Sequence, residues 1–507
     1  MQLEDLFEKR EKSQLMLIST LMNQPIEAEL KDVLTKTSLS RSTLLKYIDD
    51  LNELAQTNQF ELSLQFENDR LMLHMGDHVT KEDLIQLLLP FSIKNKILTY
   101  LYQYEEVTVQ KMAQVLLVSE ATLHRQLSTL NTLLEEFGLS IKNGRLIGEE
   151  HQIRYFFYQL FWLTTPKKEF SHRFRLTQFT EIMDALQQFW TSEISKTNQL
   201  KLGLWFSITK KRIGIRKKNF KHLKQLMMVY LPHRFYQQVR QQMLRYLSRY
   251  ALEVEEEEAM CQFIFVTSMS ILPPQVMEHK LGYGGPVSDA TTTGLRVVRT
   301  IISSEENLSE QGMYTLNQVL GQLYFFKGAL LDRAYRTNQD LSIVASGMYL
   351  EYADLAEKII QSVVEDLYQK KIQALGDLYI KIKWRLIEVL SFVIYQTPRS
   401  LMIGVDLTGS ETKRLLVLSV LRQTLEVNRL VLIEPFERKR KFDLVISNVY
   451  DQSYHFPYYF LKGAPNSFDI QRLEALIDRY LSDKNKYKIT SCPLVETGFS
   501  VDTVKLS

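Results

Sequence analysis

Apolar residues near the start of the chain fall into two matching stripes. Leu44, Ile48 and Leu51 recur at three- and four-residue spacing, and so do Leu123, Leu127 and Leu130. That period places one face of a helix in a core and leaves the opposite face for a partner. The stripes belong to one repeated phrase, Ser40-Arg-Ser-Thr43-Leu44 through Leu51-Asn52 and Leu54, then Ser119-Glu-Ala-Thr122-Leu123 through Leu130-Asn131 and Leu133. The offset is constant at 79 (119 less 40). A helix-like segment precedes each copy, Glu29 to Lys36 and Val109 to Val115. Ser40 and Ser119 stand where an N-cap belongs, since a serine hydroxyl accepts an unpaired N–H of the first turn. Each copy therefore predicts helix, short turn, second helix.

Strand-like alternation follows both copies. Phe60-Glu-Leu62-Ser-Leu64-Gln-Phe66, the turn at Asn68-Asp69-Arg70 and Leu71-Met-Leu73 predict a hairpin. Leu139-Ser-Ile141, Lys142, Asn143-Gly144 and Arg145-Leu-Ile147 predict another, and Asn-Gly between alternating apolar residues is a strong short hairpin signal. Helix-turn-helix plus hairpin is a winged helix, the form of a reader of double-stranded DNA. The candidate contacts of copy one are Ser40, Arg41, Ser42, Thr43, Lys46 and Tyr47, with Arg70 at its wing. Those of copy two are Ser119, Thr122, His124, Arg125 and Ser128, with Glu120 beside them and Lys142, Asn143 and Arg145 at the wing. Such groups donate to phosphates or base edges from the N-terminal end of a recognition helix. The competing reading of either copy alone is a packed helical hairpin.

From about Glu149 to Gln396 the pattern is almost all helical, with Ile153 to Trp162, Phe179 to Trp190, Phe235 to Leu247 and Ala259 to Ser270 as examples. The aromatic run Ile153 to Trp162 is apolar on nearly every face and predicts a buried strut. The segment from Gly282 to Gly294 is the clearest linker signal. Helices are then expected over Leu295 to Ile302, Met313 to Tyr335, Leu341 to Tyr368 and Ile372 to Tyr395. The last region alternates strand and helix: Leu401 to Val405, a helix to Leu425, Asn428 to Ile433, Phe442 to Ser447, and Ile470 to Leu481. That order predicts a small α/β domain with a parallel sheet. The turn Thr408-Gly409-Ser410 into a helix is a weak phosphate-site signal and not a Walker A loop.

At 507 residues the chain exceeds one core, so the fold class is multidomain and mainly α. No run of about 18 apolar residues exists, so no membrane span is expected. Two cysteines far apart, Cys261 and Cys492, predict a reducing, cytoplasmic setting and no cysteine-based metal site. Net charge is +3 but unevenly spread: residues 1–150 hold 15 Lys and Arg against 23 Asp and Glu, and residues 161–250 hold 18 against 4. Nucleic-acid readers usually carry a basic footprint, so the acidic N-terminal part counts against them. Either the basic faces are local, or the basic stretch Lys210 to Lys224 assists or docks on that acidic part. The same stretch also reads as a solvated face. Acid pairs and the run Glu255 to Glu258 read as solvated faces. No catalytic constellation, cofactor site or metal site emerges, so the chain reads as a non-enzyme.

With these pieces in order the chain resembles the Mga/AtxA family of transcriptional regulators from Gram-positive bacteria. The paired winged helices carry the resemblance, together with Leu146-Ile-Gly-Glu-Glu-His-Gln-Ile-Arg-Tyr-Phe-Phe-Tyr-Gln-Leu-Phe-Trp162, the two helical blocks and the α/β end. It implies winged helix-turn-helix domains at 1–85 and 86–150, helical PRD-like domains at 151–285 and 286–397, and an EIIB-like α/β domain at 398–507. It further implies an activator of virulence, surface or metabolic genes that forms a homodimer or higher homo-oligomer and is tuned by a phosphotransferase-system carrier protein. Such carriers phosphorylate histidines, and His222 and His233 are the candidates, with His172 and His279 also available. Residues 295–398 contain no histidine, and Asp406-Leu-Thr-Gly-Ser410 holds no cysteine where many IIB domains place a phosphocysteine. The alternatives are a protein-docking module without DNA readout and, against that missing cysteine, a phosphocarrier.

Overall fold

The computed structural model describes residues 1–22, 27–190, 193–215, 217–248, 254–276, 284–299, 310–331, 348–368, 371–396, 401–425, 431–437, 440, 442–449, 457–461 and 465–489. His279, Arg216, Cys492 and residues 428–430 lie outside them. The chain divides into two compact units, Met1–Gly294 with Glu310–Val389, and Leu295–Ser309 with Leu390–Ser507.

The first unit begins with α1 (Lys9–Met22), β1 (Glu27–Glu29), α2 (Leu30–Thr37), α3 (Arg41–Thr57), β2 (Leu62–Glu67) and β3 (Arg70–Met75). The strands form an antiparallel sheet in the order β1-β3-β2, with Leu64 opposite Leu73 and Phe66 opposite Leu71. Next come α4 (Lys81–Leu88), α5 (Ile93–Gln103), α6 (Val109–Leu116), α7 (Glu120–Leu134), and the hairpin β4 (Ser140–Lys142) and β5 (Arg145–Ile147). The expected stripes are the buried ones: Leu44, Ile48 and Leu51 on α3, and Leu123, Leu127 and Leu130 on α7.

Thirteen of the fifteen residues of α8 (Glu150–Thr164) are buried, so it is the strut its composition predicts. Around it stand α9 (Phe170–Arg173), α10 (Thr180–Trp190), α11 (Lys196–Arg212), α12 (Lys221–Met227), α13 (Arg234–Leu247) and α14 (Glu256–Val266). Tyr158, Trp205 and Phe265 join α8, α11 and α14, with the Trp205 and Phe265 rings stacked 4.2 Å apart.

Three expectations are corrected here. Much of the presumed linker is helix α15 (Gly285–Val298). Among its described residues, Gly284 and Gly285 turn, at φ of +82° and +63°. Ser288 then accepts the Gly284 amide, and Thr291, Thr292 and Thr293 return their hydroxyls to carbonyls one turn back. Local side-chain bonds and burial of Ala290 and Thr291 thus outweigh a composition that favours turns. Second, the helix expected to reach Tyr335 is α16 (Glu310–Phe325) and ends ten residues short. The chain beyond is drawn out along α8, where Gln152 accepts the Lys327 amide and Gln159 the Leu330 amide. Leu331 then bridges to Gln2. Those long-range bonds satisfy amides that a helix would otherwise pair internally. Third, the Glu255 to Glu258 run is a solvated face only in part: Glu255 is exposed, but Glu258 is fully buried and Glu257 nearly so. The unit closes with α17 (Met348–Gln361), its π-helical extension Ser362–Leu367, and α18 (Asp377–Gln396) up to Val389.

The second unit holds β6 (Leu401–Asp406), α19 (Glu411–Leu425), β7 (Val431–Pro435), β8 (Leu444–Ser447), β9 (Tyr458–Phe460) and α20 (Ser467–Ile489). The four strands are parallel in the order β7-β6-β8-β9. Ile403, Ile433 and Ile446 pack with Leu421 of α19 and Leu473 and Ile477 of α20. β9 is the strand the sequence reading lacks; at three residues it is too short to show a period.

Candidate nucleic-acid interface

The two copies repeat in backbone detail as well as in sequence. The turn between the paired helices passes through a left-handed residue in each, Ser38 at φ 55° and Leu117 at φ 56°, again 79 positions apart. Ser40 Oγ then accepts the Thr43 amide at 3.2 Å, and Ser119 Oγ accepts the Thr122 amide at 3.1 Å. Each serine also pairs with that threonine's hydroxyl, at 2.7 and 2.9 Å. Thr43 and Thr122 are therefore parts of the cap.

A second repeated pair ties each recognition helix to its wing. Asn52 on α3 exchanges two hydrogen bonds with the backbone of Leu64, and Asn131 on α7 does so with Ile141. These asparagines sit in the repeated phrase, but a role for them was not read from it. The wing tips also agree. Asn68 and Asp69 turn at φ of 51° and 57°, Asn143 and Gly144 at 50° and 66°, the twist a two-residue hairpin favours. At Gly144 any side chain would meet the Val107 carbonyl, 1.5 Å from a Cβ, and the Val107 amide donates to Gly144 O at 3.2 Å. That contact stands in copy two where β1 stands in copy one.

The charged candidates of both copies divide into engaged and exposed ones. Arg41 pairs with Asp69 at 3.0 Å and lies over the Phe66 ring, so it is held on its own wing. Arg70 pairs with Glu27 at 2.5 Å. Arg145 donates to Glu105 at 2.9 Å and to the Lys217 carbonyl at 3.0 Å, and its side chain is 20 % exposed. Near the wing tip, where it was expected, it braces the wing against the helical bundle. Tyr47 is half-buried against the core. Ser42 and Lys46 remain exposed on α3, and His124, Arg125 and Ser128 on α7, with Lys142 and Asn143 at the second wing tip. Between α7 and the second wing runs an open groove of about 650 Å³, lined by His124, Ser128, Asn131, Thr132 and Asn143 among others. A recognition helix, a groove and a basic wing tip on one face form a surface suited to a polyanion.

Residues 77–161 match the Mga helix-turn-helix domain. The chain therefore carries a Mga helix-turn-helix domain. The matched interval runs from the turn before α4 through most of α8 and contains all of copy two, while copy one lies outside it. No curated protein matches the chain. Among the described residues no helix is long and apolar enough to cross a membrane.

The end of the Mga domain is wired into the bundle by a buried ionic network. Arg154 on α8 donates to Glu150 at 2.8 Å and, with both terminal nitrogens, to Glu258 at 2.6 and 2.9 Å. Arg212 grips Glu150 at 2.7 and 2.8 Å, and Lys218 reaches Glu258 at 2.8 Å. Burial works against the Glu258 charge, yet Arg154 and Lys218 outweigh it and hold the carboxyl down at about 2. Part of the basic stretch Lys210 to Lys224 is thus spent inside the protein. Arg212 and Lys218 are in this network, and Lys224 pairs with Glu257.

His222 sits in the first turn of α12, half-buried, and its amide donates to Glu149 Oε2 at 3.1 Å. Its ring centre lies 6.4 Å from that of His151, which is fully buried. Burial, then the neighbouring His222 and Lys327, push His151 down to about 3, so it is a neutral imidazole. His233 precedes α13, half-buried, with its ring against Gly284. His172 is exposed on α9. In the second unit the Thr408 turn is closed by Asn448, whose Oδ1 accepts both the Thr408 amide and hydroxyl.

Proposed function

We propose that this protein is a Mga-family, DNA-binding transcriptional regulator that engages duplex DNA chiefly through copy two. Arg125 and Lys142 contact phosphates, and His124, Ser128 and Asn143 face the groove from α7 and the wing. Ser119 and Thr122 fix the start of the helix. Copy one adds Ser42 and Lys46, while its Ser40 and Thr43 cap the helix and Arg41 and Arg70 are engaged by acids. The observation that carries this reading is that Arg125 and Lys142 of a Mga helix-turn-helix domain are exposed and, among the described residues, stand in no ion pair. It also accounts for an acidic N-terminal part: the basic face is local. Mobility shift of the full chain with duplex fragments at low salt tests it. Retention that weakens steeply with salt is expected, and no retention of any duplex rejects it.

The same reading includes activation of target genes, homodimeric or higher self-association, and control by a phosphotransferase-system carrier protein acting on His222 or, second, His233. His222 is favoured because Lys221 and Lys224 flank it and Glu149 links its backbone to the start of α8. Incubation with phosphorylated carrier should label the chain, and His222→Ala should remove the label. The rival reading, a docking module without DNA contact, is favoured by the self-neutralisation of Arg41, Arg70 and Arg145.

A further inference from the structure

Elsewhere in the first unit positive charge gathers with little to balance it. Tyr155, Gln159 and Trp162 lie at four- and three-residue spacing on α8 and share one face. Lys381 of α18 donates to Gln159 Oε1 at 3.3 Å and stands 5.9 Å from the Tyr155 ring centre. Lys201 of α11 stands 6.0 Å from the Trp162 ring centre. Arg385, one turn beyond Lys381, is close enough to both lysines to repel them. The carboxylate recorded beside this group is Glu388, 3.5 Å from Arg385 Nε. Among the described residues neither lysine has an ion-pair partner.

Gln159 is 4 % exposed, and its Oε1 already accepts from Lys381 and the Leu330 amide. Its Nε2 has no hydrogen-bond partner among the described residues. A buried donor left unpaired costs free energy, and so does a cluster of like charges in a low-dielectric crevice. Apolar side chains of similar size would serve packing better.

We propose that Lys201, Lys381, Arg385 and the Gln159 amide bind a small phosphate-bearing anion between α8, α11 and α18. Three cations less one carboxylate leave a charge that a phosphate dianion matches, and its several acceptor oxygens suit the ammonium, guanidinium and amide donors together. Both lysines are only partly exposed, which suits a small solute and not a duplex. Burial first and then the neighbouring cations push Lys381 down to about 7 and Lys201 to about 8. A bound dianion would restore both charges. It would also fasten the end of α8 to α18 through the residue that holds the drawn-out segment after α16. This site is independent of the nucleic-acid surface.

Calorimetric titration of the full chain with inorganic phosphate, at pH 7 and constant ionic strength set by chloride, tests the proposal. Saturable binding is expected, weakened at least about tenfold in Lys381→Met and in Lys201→Met, a loss of about 1.4 kcal/mol. Both changes remove an unpaired charge and should fold; circular dichroism checks this, and Lys201, at the more accessible edge, serves if Lys381→Met does not. The Arg125→Ala/Lys142→Ala protein should bind phosphate as the natural chain does. No binding, or equal binding in the lysine variants, overturns the proposal.

Discussion

Asn131 and Ile141 are joined by a closed pair of hydrogen bonds. The Asn131 side chain donates to the Ile141 carbonyl at 3.2 Å and accepts the Ile141 amide at 2.5 Å. Seventy-nine residues earlier Asn52 holds Leu64 in the same way, at 2.9 and 2.8 Å. A helix presented to a partner is useful only if its wing stays in register with it, and this amide fixes that register. Asn131→Ala leaves a backbone donor and acceptor partly buried and unpaired, at a local cost of about 1–3 kcal/mol. Hydrogen exchange over residues 139–147 should accelerate accordingly while α8 stays protected. Asn131→Asp keeps the acceptor and should show a smaller change.

How much of this was legible in the sequence depends on the range of the interactions. The apolar stripes of α3 and α7, the caps at Ser40 and Ser119 and the Asn143-Gly144 turn are local, and each left a local signature. The fate of Arg41, Arg70 and Arg145 was not legible, because Asp69, Glu27 and Glu105 meet them only through the fold. The same holds for Glu258, which looked like a surface acid until Arg154, 104 positions away, was set beside it. Helix α15 failed for a different reason. Its glycines and threonines favour turns in isolation, and burial with threonine back-bonding decided otherwise.

The ionic network should be costly to break from one side. Glu258→Gln leaves Arg154 buried with one carboxylate fewer and should destabilise the first unit by about 3–5 kcal/mol. Differential scanning calorimetry would show its transition shifted down, with that of the second unit unmoved.

Acid should attack the same place. Glu150 and Glu258 are held below their ordinary value of 4.5 against burial, Glu258 at about 2. The unfolded chain takes up these protons first, so this stabilisation is complete above 4.5 and is lost as pH falls from there towards 2. A thermal-melt series over that range should be steeper for the natural chain than for Glu258→Gln.

Lys381 gives a slope of the same sign at higher pH for a different reason, because here the charged form is the one that burial disfavours. Folded, it releases its proton near 7, and unfolded near 10.5, so between these values the unfolded state binds more protons. Stability conferred by the natural chain relative to Lys381→Met should rise from pH 7 to 10 and be flat below pH 6. A difference that falls with pH would mean the ammonium is compensated in the free protein.

The account stands most directly on the basic edge of copy two. Fluorescence anisotropy of a labelled bound duplex, followed across a salt series, should give the natural chain a steep log–log slope. Arg125→Ala/Lys142→Ala should weaken binding and reduce that slope by about two, one per phosphate contact, while Arg41→Ala/Arg70→Ala should change it little. An unchanged affinity and slope in the first variant, with a large loss in the second, would contradict the assignment.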